Sequence, residues 1–476
     1  MKRIMALTLL GTALTGCANL APDAELRGLP VAPAFPELLD PHGETVAAQL
    51  SYGEWFADPR LEALVANALA NNRDLMAATA RIEQARAQYR IQDSRQLPAV
   101  VASANATRSR QAAGAAPIGG AGGNAGAATF NRFDVGVGIS AFELDFWGRL
   151  ANLSEAARAQ YLATVAAQRA FYLSLIADTA TTYYEIVETE EQIALAQATA
   201  ESRQEGLRIA GLRLDAGVTS ALPFGQAETL LTQARQQLAA ERLALAQLRN
   251  QLAVLVGGTE SPSLPAGLPL AAQGSEVRLA AGLPSDLLLV RPDIIAAEEE
   301  LRAARANIGA ARAAFFPSIS LTGNAGLSSA SLSGLFGSDG LGWSFGPSIS
   351  LPIFDAGARR ADLDLAEARA VEQVANYDRT VQSAFREVAD ALAGRRYLAE
   401  QVVTLETGVA AQERIARIAR LRYREGVADY LEVLDAERNL FAAQQQLLAT
   451  RRAWLQNRAT LFVALGGGFE QAAPAP

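Results

Sequence analysis

The sequence predicts a membrane protein of mixed α/β class: four strands cross a bilayer, very long helices make up the rest, and the whole is written twice. Three observations predict this. Four short segments alternate apolar with small polar residues. One stretch, Arg149 to about Asp215, carries neither proline nor a glycine cluster, and as a helix its length would be roughly 100 Å. Residues then recur at fixed offsets: Asp74, Arg86, Pro98 and Asn105 reappear as Asp293, Arg305, Pro317 and Asn324, and Arg213, Gly217, Glu228, Arg249 and Gly257 as Arg422, Gly426, Glu437, Arg458 and Gly466.

Residues 1–16 read as a signal peptide, with Lys2 and Arg3 before an apolar run too short to span a bilayer as a helix. It ends Leu14-Thr15-Gly16-Cys17, which resembles a bacterial lipobox. Cys17 is then the lipidated first residue of the mature chain, and Ala18 after it favours the outer membrane. Cys17 is the only cysteine, so no internal disulfide can form. Residues 17–57 are expected to be an extended segment. His42 within it is the only histidine, which excludes a histidine triad or a multi-histidine metal site. A net charge of −8 and a pI near 5.1 lack the basic footprint of a nucleic-acid binder.

Repeat 1, residues 58–256, opens with Asp58 as N-cap and Pro59 at the first helical position, and its helix is expected to run to about Leu97. Strands follow at about 98–109 and 131–146, separated by a Gly/Ala-rich loop that lacks the Lys-Ser/Thr ending of a phosphate cradle. The long helix from Arg149 ends at Gly217. The next helix carries Phe224, Leu231, Leu238, Leu245 and Leu252 every seven residues, the column of a left-handed coiled coil.

Residues 257–284 form a Gly/Pro-rich connector. Repeat 2, residues 285–465, is the same series: helix, strands at about 317–328 and 341–354, long helix, turn at Gly426, and a helix with Val433, Leu440, Leu447, Trp454 and Leu461 in column. Residues 466–476 read as a flexible tail. In Leu341 to Leu351 the odd positions are Leu, Trp, Phe, Pro, Ile and Leu, and the even ones are Gly or Ser. Phe133, Val135, Val137, Ile139 and Ala141 form a similar face. Such strands put one face to lipid and one to a polar lumen. Four strands cannot close a barrel, and open edges in lipid cost several kcal/mol per unpaired group, so the chain must oligomerise. With strand hairpins and helix turns at opposite ends of each repeat, a rod is expected.

Three motifs carry a resemblance over nearly the whole mature chain: Leu144-Asp145-Phe146-Trp147-Gly148-Arg149; Gly282-Leu283-Pro284-Ser285-Asp286-Leu287-Leu288 with Arg291-Pro292-Asp293-Ile294; and Phe316-Pro317-Ser318-Ile319-Ser320-Leu321. The chain resembles the TolC/OprM family of outer-membrane efflux channels, in its lipoprotein, drug-efflux branch. The resemblance implies a homotrimer with a twelve-stranded transmembrane β-barrel continuing into a periplasmic α-helical coiled-coil barrel. It also implies a bacterial outer-membrane location, lipid-anchored on the periplasmic side, a periplasmic adaptor and an inner-membrane pump as partners, and a passive conduit rather than an enzyme. No catalytic residue, cofactor or metal is expected. The alternatives are a type I secretion channel and a structural envelope lipoprotein without a pore.

The resemblance places the periplasmic gate at Tyr423, Leu431, Glu432 and Asp435, and the adaptor-facing tip at Gly217, Val218, Gly426 and Val427. Glu432 and Asp435 share a helix face, with Arg417, Arg420, Arg422 and Arg424 as candidate partners. Repeat 1 departs from the family pattern: Leu214 stands where Tyr is common and Pro223 where an acid is common. Mass spectrometry of the mature protein is expected to show a lipidated Cys17 at the N-terminus, and Cys17→Ser is expected to remain in the membrane, because the barrel anchors it independently.

Overall fold

The structure, a computed structural model, describes residues 19–22, 31–32, 35, 51–112, 127–258, 264–273, 290–337 and 339–467. The signal peptide, Cys17, His42, residues 113–126, most of the connector including Gly282–Leu288, and the end of the tail lie outside the described residues. The helices are α1 (Tyr52–Trp55), α2 (Pro59–Asn71), α3 (Arg73–Asp93), α4 (Arg149–Asp215), α5 (Ala221–Leu255), α6 (Pro292–Ala313), α7 (Ala358–Arg424) and α8 (Tyr430–Ala464). The strands are β1 (Val100–Gln111), β2 (Ala128–Leu144), β3 (Ser318–Ser329) and β4 (Leu341–Ser350). Helices α4 and α7 are both 67 residues long, and α5 and α8 both 35.

Contacts divide the chain into two compact units, and each draws on both repeats. One comprises Met1–Arg27, Glu83–Ala163 and Glu298–Asn376; the other comprises Gly28–Ile82, Thr164–Ala297 and Tyr377–Pro476.

The first unit holds an antiparallel sheet in the order β1-β2-β3-β4. Its register keeps like with like. Leu327, Ala325, Leu321 and Ile319 face Leu341, Trp343, Pro347 and Ile349, while Asn324, Thr322, Ser320 and Ser318 face Ser344, Gly346, Ser348 and Ser350. A slip of one residue would mix the two faces. On the polar face the hydroxyls of Ser320 and Ser348 lie 2.7 Å apart and Ser344 donates to Asn324. Glycines allow a close approach there: a Cβ on Gly136 would stand 2.7 Å from the Ala325 carbonyl oxygen, and one on Gly326 2.5 Å from that of Val135.

One sequence expectation is corrected in the sheet. Ala141 does not continue the face of Val137 and Ile139. The register shifts between Ile139 and Phe142, Ala141 has φ 51°, and Phe142 and Leu144 take over opposite Leu321 and Ile319. A bulge inserts extra residues, so strict alternation cannot run through it. In β4, Phe345 holds the middle and Ile349 lies one residue from the end.

The motif at the foot of β2 has a mechanical reason. Trp147 stacks on Phe316 at 4.6 Å and donates from Nε1 to the Pro317 carbonyl at 2.9 Å, while the Asp145 carboxylate accepts from the Arg149 and Ala151 N–H groups and caps α4. At the foot of β4, Asp355 does the same for α7, accepting from the Gly357 and Arg359 N–H groups. Gly148 and Gly357, with φ 72° and 91°, make the reversals.

The second unit contains the larger apolar core, with Trp55, Phe56, Leu61, Leu64, Tyr183, Leu455 and Phe462 buried in it. Asp58 caps α2 as the spacing predicts, accepting from the Arg60 N–H at 2.8 Å; it also accepts from the Tyr183 hydroxyl at 2.7 Å and the Leu268 N–H at 2.9 Å. The helix expected from Asp58 to Leu97 is interrupted at Asn72. Asn72 is extended, its side chain accepts from the Leu75 N–H at 2.9 Å, and it donates to the Leu255 carbonyl at 2.9 Å. The segment before Asp58 is also not wholly extended: Ser51 and Glu54 form a capping box that starts α1.

Arg291 occupies the position of Asn72 in repeat 2, and it donates to the Ala464 carbonyl at 3.0 Å. Each repeat therefore ties the last carbonyl of its final helix to the residue just before the helix that leads into its strands, α3 or α6. Asn72→Ala removes a cap and leaves the Leu255 carbonyl unpaired, and it is expected to cost about 1–3 kcal/mol, read as a lowered thermal midpoint.

Candidate functional site

The second unit brings the two helix turns together with the ends of the helices they join. Both turns are built alike. In the first, Gly217 (φ 69°) donates to Leu214 and Val218 donates to Arg213; in the second, Gly426 (φ 76°) donates to Tyr423 and Val427 donates to Arg422. This is the Schellman closure, in which a left-handed glycine satisfies the last carbonyls of a helix. Val218 and Val427 are left 68% and 67% exposed. All four tip residues named from the sequence thus sit in equivalent positions of two equivalent turns.

Behind the turns lies an alanine-rich core, with Ala210, Ala227, Ala416, Ala419 and Ala436 packed around Tyr430, Val433 and Leu434. Tyr423 is half-buried at its edge. Its ring tilts against Tyr430 at 5.1 Å, and the Arg213 guanidinium lies over it at 4.6 Å. Repeat 1 therefore contacts Tyr423 with a cation on its ring. Tyr430 fits against Gly206 of α4, where a Cβ would stand 2.8 Å from the phenol oxygen. Burial pushes the Tyr430 pKa up to about 12, helped by the nearby Glu437 carboxylate and Tyr423. Arg203 is buried beside them, over the Phe441 ring and donating to the Leu230 carbonyl at 2.9 Å. Burial pulls its pKa down against the opposing pull of Glu437 and Tyr430.

The acids named from the sequence are on the surface of α8. Glu432 accepts from Arg422 at 2.9 Å, one of the four arginines expected as partners. Asp435 pairs instead with Arg438 on its own helix at 2.6 Å. Of the others, Arg420 meets Glu437 at 3.1 Å and Arg424 meets Glu425 at 3.8 Å. Glu432 lies in the first turn of α8, where an acid complements the helix dipole; Asp435, a turn further in, owes little to that effect. Leu431 is exposed, turned away from the buried Val433 and Leu434.

Tyr430, Gly206, Arg213 and Arg438 were missed as members of this cluster, and each left a trace. An isolated glycine inside a helical stretch, as at Gly206, marks close packing. Arg438 follows Asp435 by three residues, the spacing of a helical ion pair. Tyr430 stands where repeat 1 has Ala221, a large difference at an otherwise matched turn.

Comparison with known proteins agrees on one kind of relative. The family described as "Outer membrane efflux protein" matches residues 64–258 and 283–467. The chain is 40% identical over 461 residues to the cation efflux system protein CusC of Escherichia coli, covering 96% of this chain and 97% of that one. It is 40% identical over 472 residues to the toluene efflux pump outer membrane protein TtgI of Pseudomonas putida, covering 98% and 99%. Among solved structures, the open state of the Neisseria gonorrhoeae MtrE outer membrane channel superposes with a TM-score of 0.85 at 38% identity, covering 95% of this chain and 98% of that one.

Proposed function

The chain belongs to the outer membrane efflux protein family, and from that premise we propose that three copies of it form the exit duct of a drug-exporting tripartite pump. It is an outer-membrane efflux channel. The observation that carries the rest of the proposal is the four-stranded sheet. Its β1 and β4 edges have no strand partner among the described residues, and Leu341, Trp343, Phe345 and Ile349 of β4 are each at least 65% exposed. In hydrocarbon, unpaired edges must be closed, and three copies supply the twelve strands of a barrel large enough for a lumen. The apolar face then meets lipid, and the serine and glycine face lines water.

In this reading the turns at Gly217 and Gly426 meet a periplasmic adaptor, which links the channel to an inner-membrane pump. The energy comes from the pump, and the cargo is small organic molecules. Cys17 adds a lipid anchor on the periplasmic side. Tyr423, Leu431, Glu432 and Asp435 form the periplasmic gate. Three copies of the acid pair place like charges near one axis, and Arg422 and Arg438 offset their repulsion.

Two experiments test these assignments. Phe345→Arg at mid-strand is expected to cost about 2–4 kcal/mol of barrel stability, the value for a cation at the bilayer midplane, whereas Gly346→Arg, turned to the lumen, costs much less. Equal losses of assembled protein would refute the assignment of faces. In planar bilayers, divalent cations on the periplasmic side are expected to block the channel, because carboxylate rings bind cations. Glu432→Ala combined with Asp435→Ala is expected to remove the block and raise conductance, and Arg422→Ala to deepen it. A double variant that still blocks at wild-type conductance would remove these acids from the gate.

A further inference from the structure

Beside the helix turns, the second unit contains a groove of about 750 Å³ formed by α4, α7 and α8. Its floor is apolar, with Ile209 and Leu212 from α4, Leu421 from α7 and Val433 from α8, and Tyr423 and Tyr430 wall one side. Leu212 and Leu421 remain 57% and 44% exposed. The rim is basic. Arg213, Arg417, Arg420 and Arg424 line it against only two acids, Glu205 and Glu437.

Both acids are already engaged. Glu437 holds Arg420 at 3.1 Å, and Glu205 holds Arg208, which lies outside the groove, at 2.6 Å. Arg424 leans to Glu425. Two guanidiniums are left without a carboxylate among the described residues: Arg213, which rests on the Tyr423 ring, and Arg417, which is exposed. Arg417 shares its helix face with Leu421 and Arg424, and Arg213 shares its face with Gly206 and Ile209, so both cations border the same apolar floor.

We propose that this groove binds an amphipathic organic anion, its ring system on the floor and its carboxylate or sulfonate between Arg213 and Arg417. The charge balance selects an anion over a cation, and a planar guanidinium fork suits a two-oxygen head group. The volume suits a small molecule, since such sites run about 300–1,000 Å³ with an apolar lining and a few placed polar groups. A ligand seated there touches α4, α7 and α8 at once, next to the Tyr423–Tyr430 contact. The site shares only Tyr423 with the assigned gate: the anion is held by Arg213, Arg417 and the floor, not by Glu432 or Asp435.

The test is calorimetry on the full-length protein in lipid nanodiscs. The probe is naphthalene-1-sulfonate, with naphthalene-1-methanol and naphthalene-1-methylammonium as neutral and cationic counterparts. The sulfonate is expected to bind once per chain, at least tenfold tighter than either counterpart. Arg417→Glu is expected to weaken it at least tenfold, about 1.4 kcal/mol. Arg417→Lys should retain part of the affinity, and Arg90→Glu on α3 should leave it unchanged. Thermal unfolding of each variant establishes that it is folded.

Equal affinity for sulfonate and alcohol, or undiminished binding by folded Arg417→Glu, would overturn the proposal. So would a glutamate-rich helical peptide binding where the sulfonate does not, which would make the groove a protein-docking surface. Protection of Arg417 from phenylglyoxal in the ligand-free assembly would also overturn it, since a second copy of the chain would then cover the groove. Calorimetry reads binding whether or not the chain conducts, so failure of this site and failure of the gate reading are distinguishable.

Discussion

A sheet with two open edges cannot rest in hydrocarbon. Every backbone N–H and C=O on an edge strand needs a partner, and lipid offers none. β1 and β4 end the sheet on either side, while their side chains alternate between an apolar and a polar face. The rest of the chain can be read as a consequence. Closure needs other copies of the chain, and the strands must enter and leave the helical part at fixed angles, which the Asp145 and Asp355 caps with Gly148 and Gly357 provide.

Much of this was legible in the sequence because the governing patterns are periodic. Alternation over ten residues identifies β4, a seven-residue column identifies α5 and α8, and a repeated Gly identifies both helix turns. What was not legible depends on single residues meeting across long distances in the chain. The break at Asn72 follows from a side chain that bonds to Leu255, and no local pattern contains that partner. The bulge at Ala141 follows from the pairing of β2 with β3 across the Thr322 region. At the candidate gate, the positions of Glu432 and Asp435 on one helix face followed from spacing. Their actual counterions did not: geometry selects Arg422 for Glu432 from four nearby arginines, and Asp435 pairs with Arg438, which was not among the four.

The two repeats share a scaffold and divide its tasks. Matched positions carry different chemistry at the turns: Leu214 against Tyr423, Ala221 against Tyr430, Pro223 against Glu432. The second hairpin carries the aromatics and acids, and the first supplies their sockets, with Gly206 receiving Tyr430 and Arg213 covering Tyr423. Asn72 and Arg291 show the reverse relation, since different side chains there perform one mechanical task. Duplication preserved the frame and released the contents.

Helices α4 and α7 have the same number of residues, as do α5 and α8. One residue added to a helix advances its end by about 1.5 Å and turns everything beyond it by about 100°. A lone insertion in α4 would therefore carry Gly217 out of step with Gly426 and swing Arg213 off the Tyr423 ring. A change of helix length that keeps the two turns in step has to be made in both repeats at once. The register of the two turns is in that sense a property of paired helix lengths, harder to edit than any single residue along them.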